Sequence, residues 1–322
     1  MNAAPAAATT IPTITGTTTD EQVRSFVDQG FLVREGLVSP AQLEELKRDL
    51  VFLARGGYPC KSLKPLPADM PDQEALQNIL CVHQPHYLSP VMRRFAEDPA
   101  ICGVLSRITA AHLPHWDGAV KCMQTMLFVK PPGKPGQAWH QDELYIPTRD
   151  RSLIGAWIAI DDATIENGCL WVIPGSHRPG YLYAQRTPDD LVEYDGAGQS
   201  FGFDESKAVP VEVKAGSVVF FNGYLLHKSL RNRSQVYRRA LVSHYMNSWS
   251  LLPWFSADTG DGDKQGVGTA DQRTIIQVAG TDPYAWKGTK PGGDDVYLRN
   301  FTPVKTDTPS ADPAFEKLSA KT

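Results

Sequence analysis

Hydrophobic positions follow two different periods along the chain. In the first third, apolar side chains recur three and four positions apart, which is typical of amphipathic helices. The acidic pair Asp20-Glu21 and the pair Ser39-Pro40 mark helix starts, and glycines mark the ends. A short apolar segment after the first helix predicts a strand, and residues 58–73 are proline-rich and irregular. The pattern therefore predicts helices over three segments: Asp20–Gly30, Pro40–Gly56 and Ser89–Thr109.

Beyond Trp116 the period changes to two. Short runs of β-branched and aromatic residues are separated by turns rich in glycine and proline. Helices first and many short strands afterwards indicate a mainly β fold with α, a β-sandwich or jelly roll with an outer layer of helices. The predicted strands are Val120–Val129, Ser152–Asp161, Cys169–Ile173, Val211–Val213, Ser217–Phe221 and Val236–His244.

The two ends of the chain carry little periodicity. Residues 1–19 are rich in Ala, Thr and Pro and predict a flexible tail, since they lack the charged and apolar regions of a signal peptide. Residues 20–322 are expected to form one domain. Within it, residues 250–322 are interpreted as a long C-terminal loop region over the sandwich, with one short apolar run at 275–278.

Composition restricts the partners. A formal net charge of −4 gives no basic field for nucleic acid or an anionic membrane, and no stretch of about 18 apolar residues predicts a membrane span. Five cysteines without a C-x-x-C pair favour a reducing compartment. The C-terminal Ser-Ala-Lys-Thr is not a peroxisomal address, so a cytoplasmic location is expected. The oligomeric state is left open.

A metal site is the strongest chemical candidate. His140 and Asp142 are two positions apart, so on a β-strand both would project from one face about 7 Å apart. The best third ligand is His227, at the end of the apolar segment 218–227. Two histidines and one carboxylate that leave coordination positions open are the signature of a non-haem Fe(II) oxygenase.

A buried arginine would complete such a site. Alternation along the strand places Arg238 on one face with Ala240, Val242 and His244 and Arg239 on the other face, so one of the two guanidinium groups is expected to point into the barrel. A guanidinium inside a barrel needs an anionic partner, and its planar fork suits a carboxylate. A small dicarboxylate co-substrate that chelates iron through its other end would supply that partner.

Several of these features occur together in one family. His140 and Asp142 are followed by a distant His227, then by Ser229 two positions on and Arg238 eleven positions on. With the segments 126–133 (MLFVKPPG) and 157–177, they resemble the phytanoyl-CoA dioxygenase family of Fe(II)- and 2-oxoglutarate-dependent oxygenases, closest to its domain-containing-protein branch, over about residues 26–245.

The resemblance implies a double-stranded β-helix and a set of site residues. His140, Asp142 and His227 would bind iron, and Arg238 and Ser229 would hold the distal carboxylate of 2-oxoglutarate. The remaining co-substrate contacts would be Met126, Trp157 and, by alternation with Met126, Gln124.

The implied activity is oxidation of a C–H bond in a small organic substrate, using Fe(II), 2-oxoglutarate and O2 and releasing succinate and CO2. Related halogenases replace the carboxylate ligand with a small residue, so the presence of Asp142 favours hydroxylation, or an oxidation such as desaturation, over halogenation. Candidate substrate contacts are His83, Gln84 and Tyr145, with Trp254, Tyr284 and Trp286 as further aromatic residues at the mouth.

Other interpretations of the same residues stay open. The chain could be a non-catalytic jelly-roll protein that binds a small molecule, or a cupin-type metal hydrolase or isomerase. His244 could support the metal site or be a packed histidine. Six other residues are expected to take no part in the chemistry. They are His177 in a structural role, Glu143 in solvent, Lys130 without a role, Arg239 on the surface, Trp171 in the core and Cys169 as a buried thiol.

Overall fold

Helices form most of the N-terminal part. The structure is a computed structural model that describes residues 18–77, 79–251, 275–285 and 296–300. The Thr19 side chain caps the first helix, which ends at Gly30 in the left-handed conformation, and Ser39 caps the second. The helices are α1 (Asp20–Gln29), α2 (Pro40–Ala54), α3 (Asp72–Gln77), α4 (Pro90–Ala96) and α5 (Pro99–Ile108).

One predicted helix is two helices in the structure. The segment 89–109 breaks between α4 and α5, because Pro99 lacks a backbone N–H and Asp98 caps the new start by accepting from Ala100 and Ile101. The six residues of α3 are too few to show a helical period, which is why the pattern did not predict this helix.

Fourteen strands are described, and the predicted strands match β3, β5, β6, β9, β10 and β12 below, although β9 begins two residues early. The strands are β1 (Phe31–Arg34), β2 (Ile79–His83), β3 (Val120–Lys130), β4 (Gln137–His140), β5 (Ile154–Ala159), β6 (Leu170–Val172), β7 (Gln185–Arg186), β8 (Gln199–Ser200), β9 (Val209–Val211), β10 (Val218–Asn222), β11 (His227–Ser229), β12 (Arg238–Asn247), β13 (Ile276–Ala279) and β14 (Tyr297–Asn300).

Two antiparallel sheets build the jelly roll. The larger has the order β1-β10-β5-β12-β3-β2-β14, with β13 added beside β3, and the smaller has the order β4-β11-β6-β9. One apolar cluster joins the helices to the large sheet, with Leu46, Leu105 and Leu241 at its centre. A second lies between the sheets and includes Trp157 and Val242. The predicted mainly β fold with an outer helical layer is confirmed.

The ends of the chain depart from the prediction where they are described. Thr18 is buried and accepts a hydrogen bond from Arg34, so the expected tail gives way to ordered structure before residue 19, and residues 1–17 lie outside the described part. The C-terminal region is not only a loop, since β13 and β14 extend the large sheet. The single domain over 20–322 stays a prediction.

The described helices are all too short or too polar to cross a bilayer. The expected cytoplasmic location stays a prediction.

Candidate metal and co-substrate site

Two paired strands bring the two predicted histidine ligands together. His140 closes β4 and His227 opens β11, and the two residues are direct partners in the register of these strands. Their Nε2 atoms lie 3.5 and 3.6 Å from the same oxygen, Oδ1 of Asp142. The three side chains offer ligand atoms within 4.8 Å of one another.

The backbone path to this cluster differs from the prediction in two places. Asp142 does not continue the strand, because β4 stops at His140 and a 3-10 helix, Asp142–Leu144, follows. This turn brings the carboxylate closer to His140 than the predicted 7 Å along a strand. His227 begins a second strand instead of ending β10, which stops at Asn222.

The histidine tautomers fit a metal ion. His140 Nδ1 lies 2.8 Å from the carbonyl of Ala138, and His227 Nδ1 lies 3.0 Å from that of Leu225. A carbonyl only accepts, so each Nδ1 carries the proton and each Nε2 presents a lone pair. Burial, followed by His227, lowers the pKa of His140 to about 3, so the ring is neutral at pH 7. Two lone pairs and an anionic oxygen facing one another suit a divalent cation.

The other oxygen of the carboxylate is held separately. His244 is buried, and its Nε2 lies 2.9 Å from Asp142 Oδ2. Burial raises the pKa of Asp142, but the interactions with His227, His244 and His140 outweigh it and hold that pKa well below its usual range. His244 was expected either to support the metal site or to be a packed histidine. The structure places it in contact with the metal site.

The neighbouring carboxylate is not solvated as predicted. Glu143 is 1% exposed, and its Oε1 accepts from the Thr148 backbone N–H at 2.5 Å and from its hydroxyl at 2.6 Å. Burial raises the pKa of Glu143 to about 7. The 3-10 helix, which the alternation of a strand does not foresee, turns this side chain inward.

A cavity of about 750 Å³ contains the cluster and is lined by all eleven residues that the sequence predicts for the site. A volume of this size is within the roughly 300–1,000 Å³ typical of small-molecule sites. Tyr284 does not line it and contacts Arg149, while Trp254 and Trp286 lie outside the described residues. The eleven are His83, Gln84, Gln124, Met126, His140, Asp142, Tyr145, Trp157, His227, Ser229 and Arg238.

A buried guanidinium lies at one end of the cavity. Arg238 is buried with its guanidinium 5.5 Å from the Trp157 ring centre, and its Nε has no hydrogen-bond partner in the described part of the chain. Its register partner Lys130 was expected to have no role, but its buried Nζ donates to Ser229 Oγ at 3.0 Å and to the carbonyl of Leu230 at 2.6 Å. Burial, together with Arg238, lowers the pKa of Lys130 well below its usual range.

The other residues that were expected to take no part in the chemistry lie outside the cavity. Arg239 faces away from it and forms a bidentate pair with Asp161, and at 17% exposure its side chain is less of a surface group than predicted. His177 donates from Nε2 to the carbonyl of Val27 and so ties down α1, which confirms its structural role. Trp171 and Cys169 are buried as predicted.

Sequence reasoning missed the contribution of the C-terminal strand. Tyr297 and Arg299 of β14 line the cavity, as do Gly196 and Ala197 from the connection between β7 and β8. A four-residue strand leaves too short a pattern to detect. The signal available was the alternation of Tyr297 and Arg299, which is weak by itself.

Known proteins share the sequence pattern and the fold. The family model for phytanoyl-CoA dioxygenase (PhyH) matches residues 26–240. Phytanoyl-CoA dioxygenase domain-containing protein 1 of Danio rerio is 27% identical over 289 residues, 74% of this chain and 95% of the relative. Phytanoyl-CoA dioxygenase 1 of Oryza sativa subsp. japonica is 36% identical over 177 residues, 53% of this chain and 60% of the relative.

A solved structure agrees with the described fold. The non-haem alpha-ketoglutarate-dependent carbocyclase SnoK from nogalamycin biosynthesis superposes with a TM-score of 0.58 at 20% identity, covering 83% of this chain and 99% of that one.

Jelly roll, donor cluster and cationic pocket together define an Fe(II)- and 2-oxoglutarate-dependent dioxygenase, with O2 as the oxidant. The chain belongs to the phytanoyl-CoA dioxygenase family. The resemblance inferred from the motifs is confirmed, and the interpretations as a binding module or a cupin-type hydrolase are set aside.

Proposed function

We propose that His140, Asp142 and His227 are the protein ligands of Fe(II) and that the enzyme hydroxylates a C–H bond of a small organic substrate held in the cavity. The observation that carries the proposal is the convergence of two histidine Nε2 atoms on Asp142 Oδ1 inside the cavity. Backbone carbonyls fix both rings from behind, so the donor set is formed before any ion arrives.

The cationic end of the cavity suits the distal carboxylate of 2-oxoglutarate. Arg238 has an N–H without a partner among the described residues, in a buried position where an unpaired donor costs free energy. Ser229 receives a hydrogen bond from Lys130, which leaves the serine hydroxyl proton to donate to a carboxylate oxygen. Trp157 packs on the guanidinium, and Met126 and Gln124 line the same cavity.

Three protein ligands would leave coordination positions of the ion open for the 2-oxo acid and O2. Bound Fe(II), with 2-oxoglutarate and O2, supplies an oxidant able to break an unactivated C–H bond and releases succinate and CO2. Asp142 occupies the position that a halide would need, which favours hydroxylation over halogenation.

The chain itself orients the substrate and keeps water out. The wall beside the donor cluster is apolar, and it packs against the buried core between the two sheets. Such a wall suits the hydrocarbon part of a small molecule. Its side chains are Met126, Phe128, Trp157, Phe221 and Val242.

Adjacent arginines offer a matched test of the co-substrate site. We expect Arg238→Met to raise the KM for 2-oxoglutarate at least about tenfold, about 1.4 kcal/mol, because a charge-assisted hydrogen bond is lost. Arg239→Met, which removes the pair with Asp161 and the contact with the Tyr237 ring, both outside the cavity, should leave that KM unchanged. The readouts are succinate release with Fe(II) and anaerobic Co(II) affinity. Lost metal binding with an unchanged KM in Arg238→Met would contradict the proposal.

A further inference from the structure

The last described strand adds a wall to the cavity from outside the segment that matches the family. The family model ends at residue 240, whereas β14 begins at Tyr297 and pairs with β2 along the edge of the large sheet. A row of register partners crosses five strands, and every member of the row lines the cavity. In order, the row is Trp157, Val242, Met126, His83 and Tyr297.

This row separates two ends of one cavity. Trp157 stands beside Arg238 at the co-substrate end. Tyr297 lies at the opposite end of the row, two strands beyond Met126 and so about 10 Å from it across the sheet. A ligand at the β14 end therefore does not compete with 2-oxoglutarate for Arg238.

The β14 end presents a flat aromatic surface. The rings of His83 and Tyr297 are stacked, with centres 4.0 Å apart and planes inclined by 10°. Tyr297 is 48% exposed and both rings line the cavity, so part of this stacked pair is open to a ligand. A planar group packs well on such a surface.

A guanidinium lies beside the aromatic pair. Arg299 is two positions from Tyr297, on the same face of β14, and also lines the cavity. Its Nη2 donates to Asp195 Oδ2 at 3.0 Å, while Asp195 Oδ1 accepts from the backbone of Ala197. A guanidinium has five N–H donors in a planar fork, so this single bond orients the group and leaves donors for a second acceptor.

Tyr145 lies beside the donor cluster. Its ring centre is 6.3 Å from that of His140, and it lines the same cavity as Arg299. Among the described residues that line the cavity, Asp142 is the only carboxylate.

We propose that Arg299 binds a carboxylate of the substrate and that the Tyr297–His83 pair stacks on a planar part of the same molecule. The proposal rests on the proposed function, since it takes the Arg238 end as occupied by 2-oxoglutarate. It assigns the substrate to the class of small planar carboxylic acids and assigns its recognition to the C-terminal strand.

Benzoate and benzamide are matched probes, since they share shape and differ in charge. Their binding is measured by saturation-transfer NMR on anaerobic enzyme saturated with Fe(II) and 2-oxoglutarate, after the charge-transfer band of that complex has been recorded. We expect saturable benzoate binding at least tenfold tighter than that of benzamide. Arg299→Met should abolish this preference, and Arg178→Met, which removes an exposed guanidinium paired with Asp28, should retain it.

The variant Asp195→Asn distinguishes binding of the anion by Arg299 from a purely structural role of the Arg299–Asp195 pair in holding β14. If Arg299 binds the anion, removing its internal carboxylate leaves benzoate affinity equal or higher. Weaker benzoate binding in both Asp195→Asn and Arg299→Met would mean that the pair only holds β14 in place, and would overturn the inference.

Equal binding of benzoate and benzamide, absence of saturable benzoate binding, or a preference retained in Arg299→Met would also overturn it. Absence of the charge-transfer band from the starting complex would instead contradict the proposed function, so the two failures are distinguishable.

Discussion

At the scale of single residues, the two oxygens of Asp142 have different neighbours. Oδ1 faces the two histidine Nε2 atoms, and Oδ2 accepts from His244. Because His244 occupies Oδ2, it favours coordination through one oxygen and keeps the remaining metal positions open. We infer that His244 is a positioning residue for the metal site.

Replacing His244 tests this role through metal affinity. His244→Leu should weaken anaerobic Co(II) binding on the order of tenfold or more, the effect typical of lost partners of metal ligands. His244→Gln, which retains a donor, should recover most of the affinity. The d–d absorption of Co(II) reports both affinity and coordination number. Equal metal affinity in the two variants would contradict the positioning role.

Another buried histidine predicts a pH dependence of stability. His86 Nδ1 lies 2.6 Å from Thr125 Oγ1, and burial, followed by Arg93, lowers its pKa from the ordinary 6.5 to about 3. Below pH 6.5, His86 binds a proton in the unfolded chain but stays neutral in the folded chain until the pH approaches 3. The neutral ring's contribution to stability is thus complete above about pH 6.5 and is lost as pH falls toward 3.

The measurement is urea unfolding of the metal-free protein at pH 7 and pH 5. His86→Gln keeps a hydrogen-bonding side chain and removes the titration, so its free energy of unfolding should fall less between these pH values, by up to about 2 kcal/mol. The same fall in the variant and the wild type would show that His86 does not titrate in this way.

Residue types and spacing were sufficient to predict the donor set, since His140, Asp142 and His227 combine a recognisable chemistry with a long-range pattern. Roles that depend on local backbone turns were not predictable. Glu143 was expected in solvent because nothing in the alternation signals the 3-10 helix. Lys130 was expected to lack a role because its contact with Ser229 joins residues 99 positions apart.

At the scale of secondary-structure elements, the pairing of β4 with β11 positions the site. The pair sets His140 against His227 and carries Ser229 toward the cationic end. The backbones are closely packed just before β4, because a Cβ at Gly136 would lie 1.8 Å from the carbonyl oxygen of Ser229. The chain therefore needs glycine where β11 passes.

Gly136→Ala should lower both thermal stability and 2-oxoglutarate affinity, because the backbone of Ser229 must move to make room. Gly196→Ala is the control for stability, since a Cβ there meets nothing within 4 Å. The midpoint of thermal unfolding and the KM for 2-oxoglutarate are the readouts. A Gly136→Ala variant as stable as Gly196→Ala, with unchanged KM, would contradict the tight pairing.

Elements with strong local signals were predicted well. Caps at Thr19 and Ser39 mark α1 and α2, and period-two runs mark β3, β10 and β12. The break between α4 and α5 is a case where the period continues although Pro99 interrupts the hydrogen bonding. β14 lies about 50 residues beyond β12, and its pairing with β2 is set by tertiary contact.

At the scale of the whole molecule, the segment that matches the family and the C-terminal strand serve the two ends of one cavity. The former supplies the donor cluster and Arg238, the proposed partner of 2-oxoglutarate, and the motifs around them identified the family. The latter supplies Tyr297 and Arg299. The proposed recognition of the substrate therefore depends on the pairing of β14 with β2, which the local sequence does not predict.

The most direct test of the central claim is an anaerobic titration of the metal-free enzyme with Fe(II) and 2-oxoglutarate, followed through the visible charge-transfer band of the chelate. The predicted result is a band that saturates at one equivalent of each, is absent from Asp142→Ala, and needs at least about tenfold more 2-oxoglutarate in Arg238→Met. Iron binding without the band in the wild type would contradict the assignment of this cavity to iron and 2-oxoglutarate.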